Sequence, residues 1–377
     1  MELMKANSKD FDSLLVSNDA SFLKIATIKN GSVWQFFYQP ITKQGPFQDD
    51  IYLGKVTRIT PQFIWVDIGE KNPGVLKRKP KEKPLIEGQK VILQISKEET
   101  KDTASYKGSR LTQNIHIAGK FCIYHPFEKS TFFSKNLSMT TKQKLLENAS
   151  FTFRTSCETL EDMSALQKEM KSLQGSWDFI SQNLQSKIGL LQKAPTILER
   201  LLRDTASEVE IIFDDAGILA ALKKYVNETN PNISGSLRPA SLKEQPLFEF
   251  FGIQEDWEML TSPFVPLAVG GNLLIEETAC VTTIDVNAGE RSSEEINFEA
   301  IAPIIQQIRL RQLSGNILID FVRFSVGSRK KLLIDFESHL KKENPQGVKI
   351  MGWSHLGFLE LQAPRRRDSL TKQLTQK

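Results

Sequence analysis

Two short apolar runs of strand character, Thr282-Thr283-Ile284-Asp285-Val286-Asn287 and Asn316-Ile317-Leu318-Ile319-Asp320-Phe321, flank an apolar segment of helical length. Strand, helix, strand at this spacing predicts a βαβ unit. Its crossover is right-handed in nearly all proteins, so the two strands run parallel. Each run closes on an aspartate, so Asp285 and Asp320 are expected side by side at the carboxyl edge of the sheet, where open α/β sheets build their sites. Two carboxylates that close repel each other unless a cation or a proton lies between them. Asn287 shares a strand face with Asp285 and places an amide beside it. With oxygen donors and neither His nor Cys among them, the pair suits Mg2+, with Mn2+ also possible, and not zinc. A plainer reading stays open at this point: strand-end acids that cap loops or pair with Arg309 or Arg311.

The rest of the chain is long enough to surround that unit with other domains. Its 377 residues are 40% hydrophobic and 25% charged, a globular composition, and they contain no apolar run long enough to span a membrane. The N-terminal residues lack a signal-like apolar stretch, so a cytoplasmic protein is expected. Cys122, Cys157 and Cys280 are far apart, with no Cys-x-x-Cys among them. Structural zinc and a disulfide framework are therefore not expected. The net charge of +4 is mild, but basic residues gather at Lys77-Arg78-Lys79 with Lys81 and Lys83, at Arg329-Lys330-Lys331, and at Arg365-Arg366-Arg367. Each cluster reads equally as solvated surface or as phosphate contact.

Upstream, Asn30-Gly31 between apolar runs predicts a hairpin over 22–42. Five short Gly-punctuated strands follow: Ile51–Val56, Phe63–Gly69, Gly74–Leu76, Val91–Ile95 and one near Leu111–Ile117. They predict an OB-type barrel. Phe63 and Trp65 share a strand face, and Tyr52 is expected to join them as a stacking surface for unpaired bases. Lys55, Arg58 and Lys107 would supply charge for the phosphates. Beyond the barrel, helices are expected over 141–148, 163–172, 177–192, 216–226 and 248–260, a strand over 209–213, and loop over 227–245.

Two sets of motifs resemble known families. Ile-Tyr-x-Gly-x-Val from Ile51, then Val-Asp-Ile-Gly, Gly-Val-Leu and Glu-Gly-Gln-x-Val, are similar to the S1 RNA-binding domain. The segments Gly270–Asn287 and Ile308–Phe321, with Gly352–Glu360, resemble the catalytic region of the ribonuclease E/G family. That resemblance implies an α+β multidomain fold. A ribonuclease-H-like subdomain (1–43 and 207–265) would carry an inserted S1 barrel (44–118). A 5′-sensor region (119–206) and a deoxyribonuclease-I-like α/β subdomain (266–377) would complete it.

The implied activity is metal-dependent cleavage of single-stranded, AU-rich RNA in processing or decay. Asp285 and Asp320 match the metal-binding aspartates, Asn287 the asparagine beside them, and Trp65 and Lys107 the RNA-gripping residues. Arg154-Thr155 resembles the pair that holds a 5′-monophosphate. Four departures from the family pattern stand out: Val75 in place of a second aromatic, Ser156-Cys157 for a small Ala-Gly pair, Arg323 for an acid, and a short loop after Asn287. The cysteine pair of zinc-linked members is missing, so association, if any, would not be zinc-linked. The departures leave a rival reading, a non-catalytic S1-type RNA-binding protein with a decayed nuclease site.

Overall fold

The computed structural model describes residues 11–375 apart from 43–44, 79–83, 99, 103–104, 146–148, 161, 207, 241–244, 269, 324, 344–346 and 365–366. Lys79, Lys81, Lys83, Arg365 and Arg366 of the basic clusters thus lie outside the described residues. The fold is mixed α+β and divides into two compact units. The first comprises Met1–Thr42, Ser207–Ala220 and Gly235–Lys377, and the second Lys43–Ala206 and Ala221–Ser234.

The first unit holds two sheets. One has five strands in the order Leu237–Pro239, Glu210–Phe213, Ser13–Asp19, Phe22–Lys29, Ser32–Pro40. Its hairpin turns at Asn30 and Gly31, both at positive φ, as the Asn-Gly signal requires. The Ser13–Asp19 strand was not anticipated. Leu237–Pro239, expected as loop, is a strand pairing in parallel with Glu210–Phe213. The expected 248–260 helix is two short ones, Leu247–Phe250 and Gln254–Glu258, parted at Gly252 with φ +66°.

The second sheet of this unit has six strands in the order Phe264–Pro266, Asn272–Glu277, Val281–Asn287, Gly315–Asp320, Leu359–Ala363, Lys349–Trp353. Val281–Asn287 and Gly315–Asp320 are parallel, and the helices Ser293–Glu299 and Ile301–Leu310 lie between them in sequence. One sheet face carries Ile284, Val286, Ile317, Ile319, Leu359 and Leu361 into a core with Ile296, Ile304, Ile305 and Ile308 of those helices and Leu332 and Phe336 of the Val326–Glu343 helix. Each such aliphatic side chain contributes roughly 1.5–3 kcal/mol on burial. This burial fixes which face every alternate residue presents, and so turns Asp285 and Asp320 away from the helices.

In the second unit, Ile51–Ile59, Phe63–Asp67, Gly74–Lys77, Arg110–Thr112 and Lys90–Lys97 form a barrel, closed by pairing of the first with the last. The expected final strand over 111–117 is shorter, because Ile117 and Ala118 pair instead with Cys122–Tyr124 in a four-stranded sheet. The two helices expected over 163–192 are a single helix, Met163–Ser181, followed by a strand, Gly189–Gln192, laid along the barrel's first strand. Gly175 costs a helix interior about 1 kcal/mol relative to Ala. Burial of Leu166, Leu173 and Ile180 along one face outweighs it.

Candidate functional site

The two aspartates meet as the βαβ reading requires: in the parallel register, Asp285 stands directly opposite Asp320. Both lie on the sheet face opposite the helices, where the burial alternation leaves Asp285 partly buried and Asp320 exposed. The Asn287 side chain donates from Nδ2 to Asp285 Oδ2 at 3.3 Å and to Asn272 Oδ1 at 3.3 Å. An amide thus holds the first carboxylate's rotamer. Burial, and after it the Asp285 charge, push the Asp320 carboxyl above the ordinary carboxylate range, while Arg323 works against both. The pair therefore carries negative charge that no neighbour fully offsets.

The plainer reading of these acids fails on its partners. Arg309 pairs with Glu343 and donates from Nε to the Trp34 carbonyl at 2.7 Å. Arg311 donates to Gln307 and to the Met259 carbonyl. Neither arginine is free to pair with Asp285 or Asp320.

Two features that hold this edge were not legible beforehand. Asn297, fully buried on the Ser293–Glu299 helix, donates from Nδ2 to the Val322 carbonyl at 2.7 Å and accepts the Val322 N–H at 3.0 Å. It clamps the chain two residues past Asp320 to the helix that follows Asn287. An asparagine inside an otherwise apolar helix face is the only sequence signal of that role. The second is Gly271, at φ +78°, where a Cβ would lie 2.2 Å from the Asn287 carbonyl oxygen. The turn into the sheet can pass this close to Asn287 only without a side chain. The short loop ends at Ser292, whose hydroxyl accepts the Glu295 N–H and caps the helix.

Among the described residues no group of three or more His, Cys, Asp and Glu is placed to hold a metal ion. Two carboxylates with an amide beside them fit a small hard cation that retains water and takes substrate oxygens, as magnesium does. They do not fit a cation that needs a full protein cage.

On the barrel, Phe63 and Trp65 share the outer face with ring centroids 6.2 Å apart, and Phe63 is 38% exposed. The Arg58 guanidinium lies 5.4 Å from the Trp65 ring, and Lys55 is exposed on the adjoining strand. Val75 stands directly opposite Trp65, so an aliphatic side chain adjoins the indole there. Tyr52 does not join this surface. It is 2% exposed inside the barrel and donates its hydroxyl to Glu70 at 2.8 Å. The alternation of Ile51–Ile59 turns Tyr52 inward with Val56, which corrects its expected role in stacking. Lys107 ends the Ser105–Lys107 strand, and its side chain lies outside the described residues.

The Arg154 fork is already engaged. Its two terminal nitrogens donate to the two Asp204 oxygens at 2.8 Å each, and one also donates to the Gly119 carbonyl. Arg203 grips the same carboxylate from Nε and Nη2. Burial alone would raise Asp204, but Arg203 and then Arg154 hold it at about 2. Thr155 Oγ1 shares a hydrogen bond with Ser134 Oγ. Close by, Glu169 accepts the backbone N–H groups of Lys120, Phe121 and Cys122, and Gly119 leaves the space for its carboxylate.

Comparison with known proteins agrees with this geometry. The chain matches the model of the Ribonuclease E/G family over residues 116–367. It is 26% identical to Ribonuclease G of Haemophilus influenzae, over 96% of this chain and 81% of the relative. It is 28% identical to a protein named Putative ribonuclease E of Buchnera aphidicola, over 90% and 91%, and 25% identical to Ribonuclease G of Escherichia coli K12, over 95% and 80%. With two thirds of its length matched by the family model and the paired aspartates inside the match, the chain belongs to the ribonuclease E/G family.

Proposed function

We propose that this chain is a magnesium-dependent endoribonuclease that grips single-stranded RNA on its barrel and hydrolyses a phosphodiester at Asp285 and Asp320. The observation that carries the reading is the direct opposition of those two carboxylates on neighbouring parallel strands, with the Asn287 amide on one of them. A divalent cation bound there would neutralise the pair, polarise the phosphodiester and lower the pKa of water at the site. Asp285 and Asp320 supply the ligating oxygens, and Asn287 fixes the first of them in orientation. Arg323, exposed beside Asp320, adds positive charge where the polyanionic strand must approach carboxylates. Phe63 and Trp65 offer π-faces to unpaired bases, with Lys55 and Arg58 for the backbone. Lys107 is assigned to the same grip from its motif.

The subdomain identities belong to this proposal as well: the barrel is an S1 domain, and the six-stranded sheet with its helices is the deoxyribonuclease-I-like part. AU-rich single strands in RNA processing or decay are the proposed substrates. Manganese is the expected substitute metal, and any self-association is free of zinc.

At the 5′ end this chain departs from its family. A phosphate at Arg154-Thr155 would have to displace Asp204 from a buried two-point pairing, so a 5′-monophosphate is expected to give little acceleration.

A second reading, binding without cleavage, rests on Arg323, whose charge competes with a cation at Asp320. Incubation of end-labelled AU-rich RNA with the protein, with and without magnesium and beside Asp285→Asn, separates the two. Cleavage that needs both the metal and Asp285 supports the nuclease, and tight binding with no metal-dependent cleavage excludes it.

A further inference from the structure

The rim beside the paired aspartates carries a cation whose donors have no protein partner. Arg329, in the first turn of the Val326–Glu343 helix, lies with its guanidinium 5.3 Å from the Trp353 ring centroid. Its Nε is buried and makes no hydrogen bond among the described residues, and no carboxylate among them pairs with its guanidinium. The other arginines of this core behave differently. Arg309 and Arg311 are both bonded to carbonyl, carboxylate or amide oxygens. A half-buried guanidinium with unpaired donors is costly unless a ligand completes it. Stacking on an indole pins the fork without using any N–H, which leaves it ready for a planar or tetrahedral anion.

Its position ties it to the site. Trp353 stands opposite Leu359, and Leu359 opposite Ile319, so two strand spacings, about 10 Å, separate Trp353 from the strand whose next residue is Asp320. The Trp353 ring also lies 6.0 Å from that of Phe321, the residue after Asp320. Gly357, at φ +98°, lets the hairpin tip approach, since a Cβ there would meet Arg329 Nη2 at 3.3 Å. Arg323 and Lys330 are exposed nearby in sequence, so the rim is cationic where the sheet edge is anionic.

We propose that Arg329, held on Trp353, binds a phosphodiester of the RNA strand flanking the one presented to Asp285 and Asp320. The proposal rests on the nuclease reading for the identity of the strand. Its physical purpose is anchorage: two carboxylates repel the substrate backbone, and a fixed guanidinium a short way along the sheet edge offsets that repulsion. Arg329 thus sets the register in which the strand crosses the two aspartates.

The test uses the whole chain and a short fluorescent single-stranded RNA. In EDTA, the dissociation constant is measured across a salt series for the wild type, Arg329→Gln, Arg329→Lys and, as a charge control at the far end of the same helix, Lys342→Gln. Each lost phosphate contact lowers the salt slope by about 0.7 for a single strand. That decrement is expected for Arg329→Gln and absent for Lys342→Gln, while Arg329→Lys, still charged, retains the slope. In magnesium, substrates with one methylphosphonate at each position around the cleaved bond are then compared. The wild type is expected to slow about tenfold at one flanking position, at which Arg329→Gln shows no further loss. An unchanged salt slope overturns the proposal whether or not the protein cleaves. A lowered slope with the same methylphosphonate profile in both proteins places the contact away from the cleavage edge and equally overturns it. A wild type that cleaves nothing removes the nuclease reading, and with it the assignment of the flanking phosphate.

Discussion

At the scale of single residues, the site rests on two carboxylates and the amides that hold them. Asp285→Asn and Asp320→Asn each remove one charge from the pair, and each is expected to lower cleavage at least about a hundredfold. The same variants supply a readout independent of activity: magnesium should raise the melting temperature of the wild type and leave that of either variant unchanged. An equal metal-induced shift in all three would refute ligation by these side chains. Asn297 acts through the backbone. Replacing it with Leu leaves the Val322 N–H and carbonyl unpaired, at about 1–3 kcal/mol for each buried group. The expected result is a lower melting temperature with a higher magnesium concentration for half-maximal cleavage. Stability loss without a change in the metal requirement would reduce Asn297 to a packing residue.

At the scale of elements, the barrel separates two aromatic roles that sequence alone joined. Trp65 faces outward beside Phe63 and under Arg58, whereas Tyr52 is internal. Trp65→Ala is therefore expected to weaken single-stranded RNA binding by about 1–3 kcal/mol, roughly five- to a hundred-and-fiftyfold, with little change in folding stability. Tyr52→Phe should do the reverse, costing on the order of 1 kcal/mol of stability through the lost Glu70 bond and leaving RNA affinity intact. Titration of a labelled oligonucleotide alongside urea unfolding distinguishes the two. The turn at Gly271 is a second element-level constraint. Gly271→Ala meets both a left-handed φ and the Asn287 carbonyl, and a cost of about 1–3 kcal/mol is expected in the same unfolding assay.

At the scale of the whole molecule, the response to acid and to the RNA 5′ end both turn on Asp204. Its folded pKa, about 2, lies below the ordinary aspartate value near 3.9. A depressed carboxylate contributes stability that is present above the unfolded pKa and lost as pH falls through the folded one. The window is therefore roughly pH 4 to 2, and the contribution on the order of 2 kcal/mol. Asp204→Asn should flatten stability across that window while lowering it at neutral pH, because Arg154 and Arg203 lose their shared anion. Stability profiles that run parallel in wild type and variant across that range would count against the assignment. In cleavage, 5′-monophosphate and 5′-hydroxyl substrates should differ by less than about twofold in the wild type, since the Arg154 fork is occupied. No helix among the described residues is long and apolar enough to cross a membrane.

The sequence by itself determined what short-range pattern encodes. Apolar alternation set the faces of Val281–Asn287 and Gly315–Asp320, their separation by a helical segment set the parallel crossover, and Asn30-Gly31 set the hairpin. Together these brought Asp285, Asn287 and Asp320 together without reference to any coordinate. Only the tertiary structure decided which side chains were already partnered. Arg154 and Asp204 are fifty positions apart in the chain, and no local periodicity records that one neutralises the other. Tyr52 was assigned outward because aromatic character is ambiguous between core and platform, and barrel closure settled it by burial. Asn297 and Val322 meet across a helix–strand contact that spacing does not encode. Local sequence therefore placed the reacting carboxylates, and long-range packing determined which of the surrounding charges remain free for RNA.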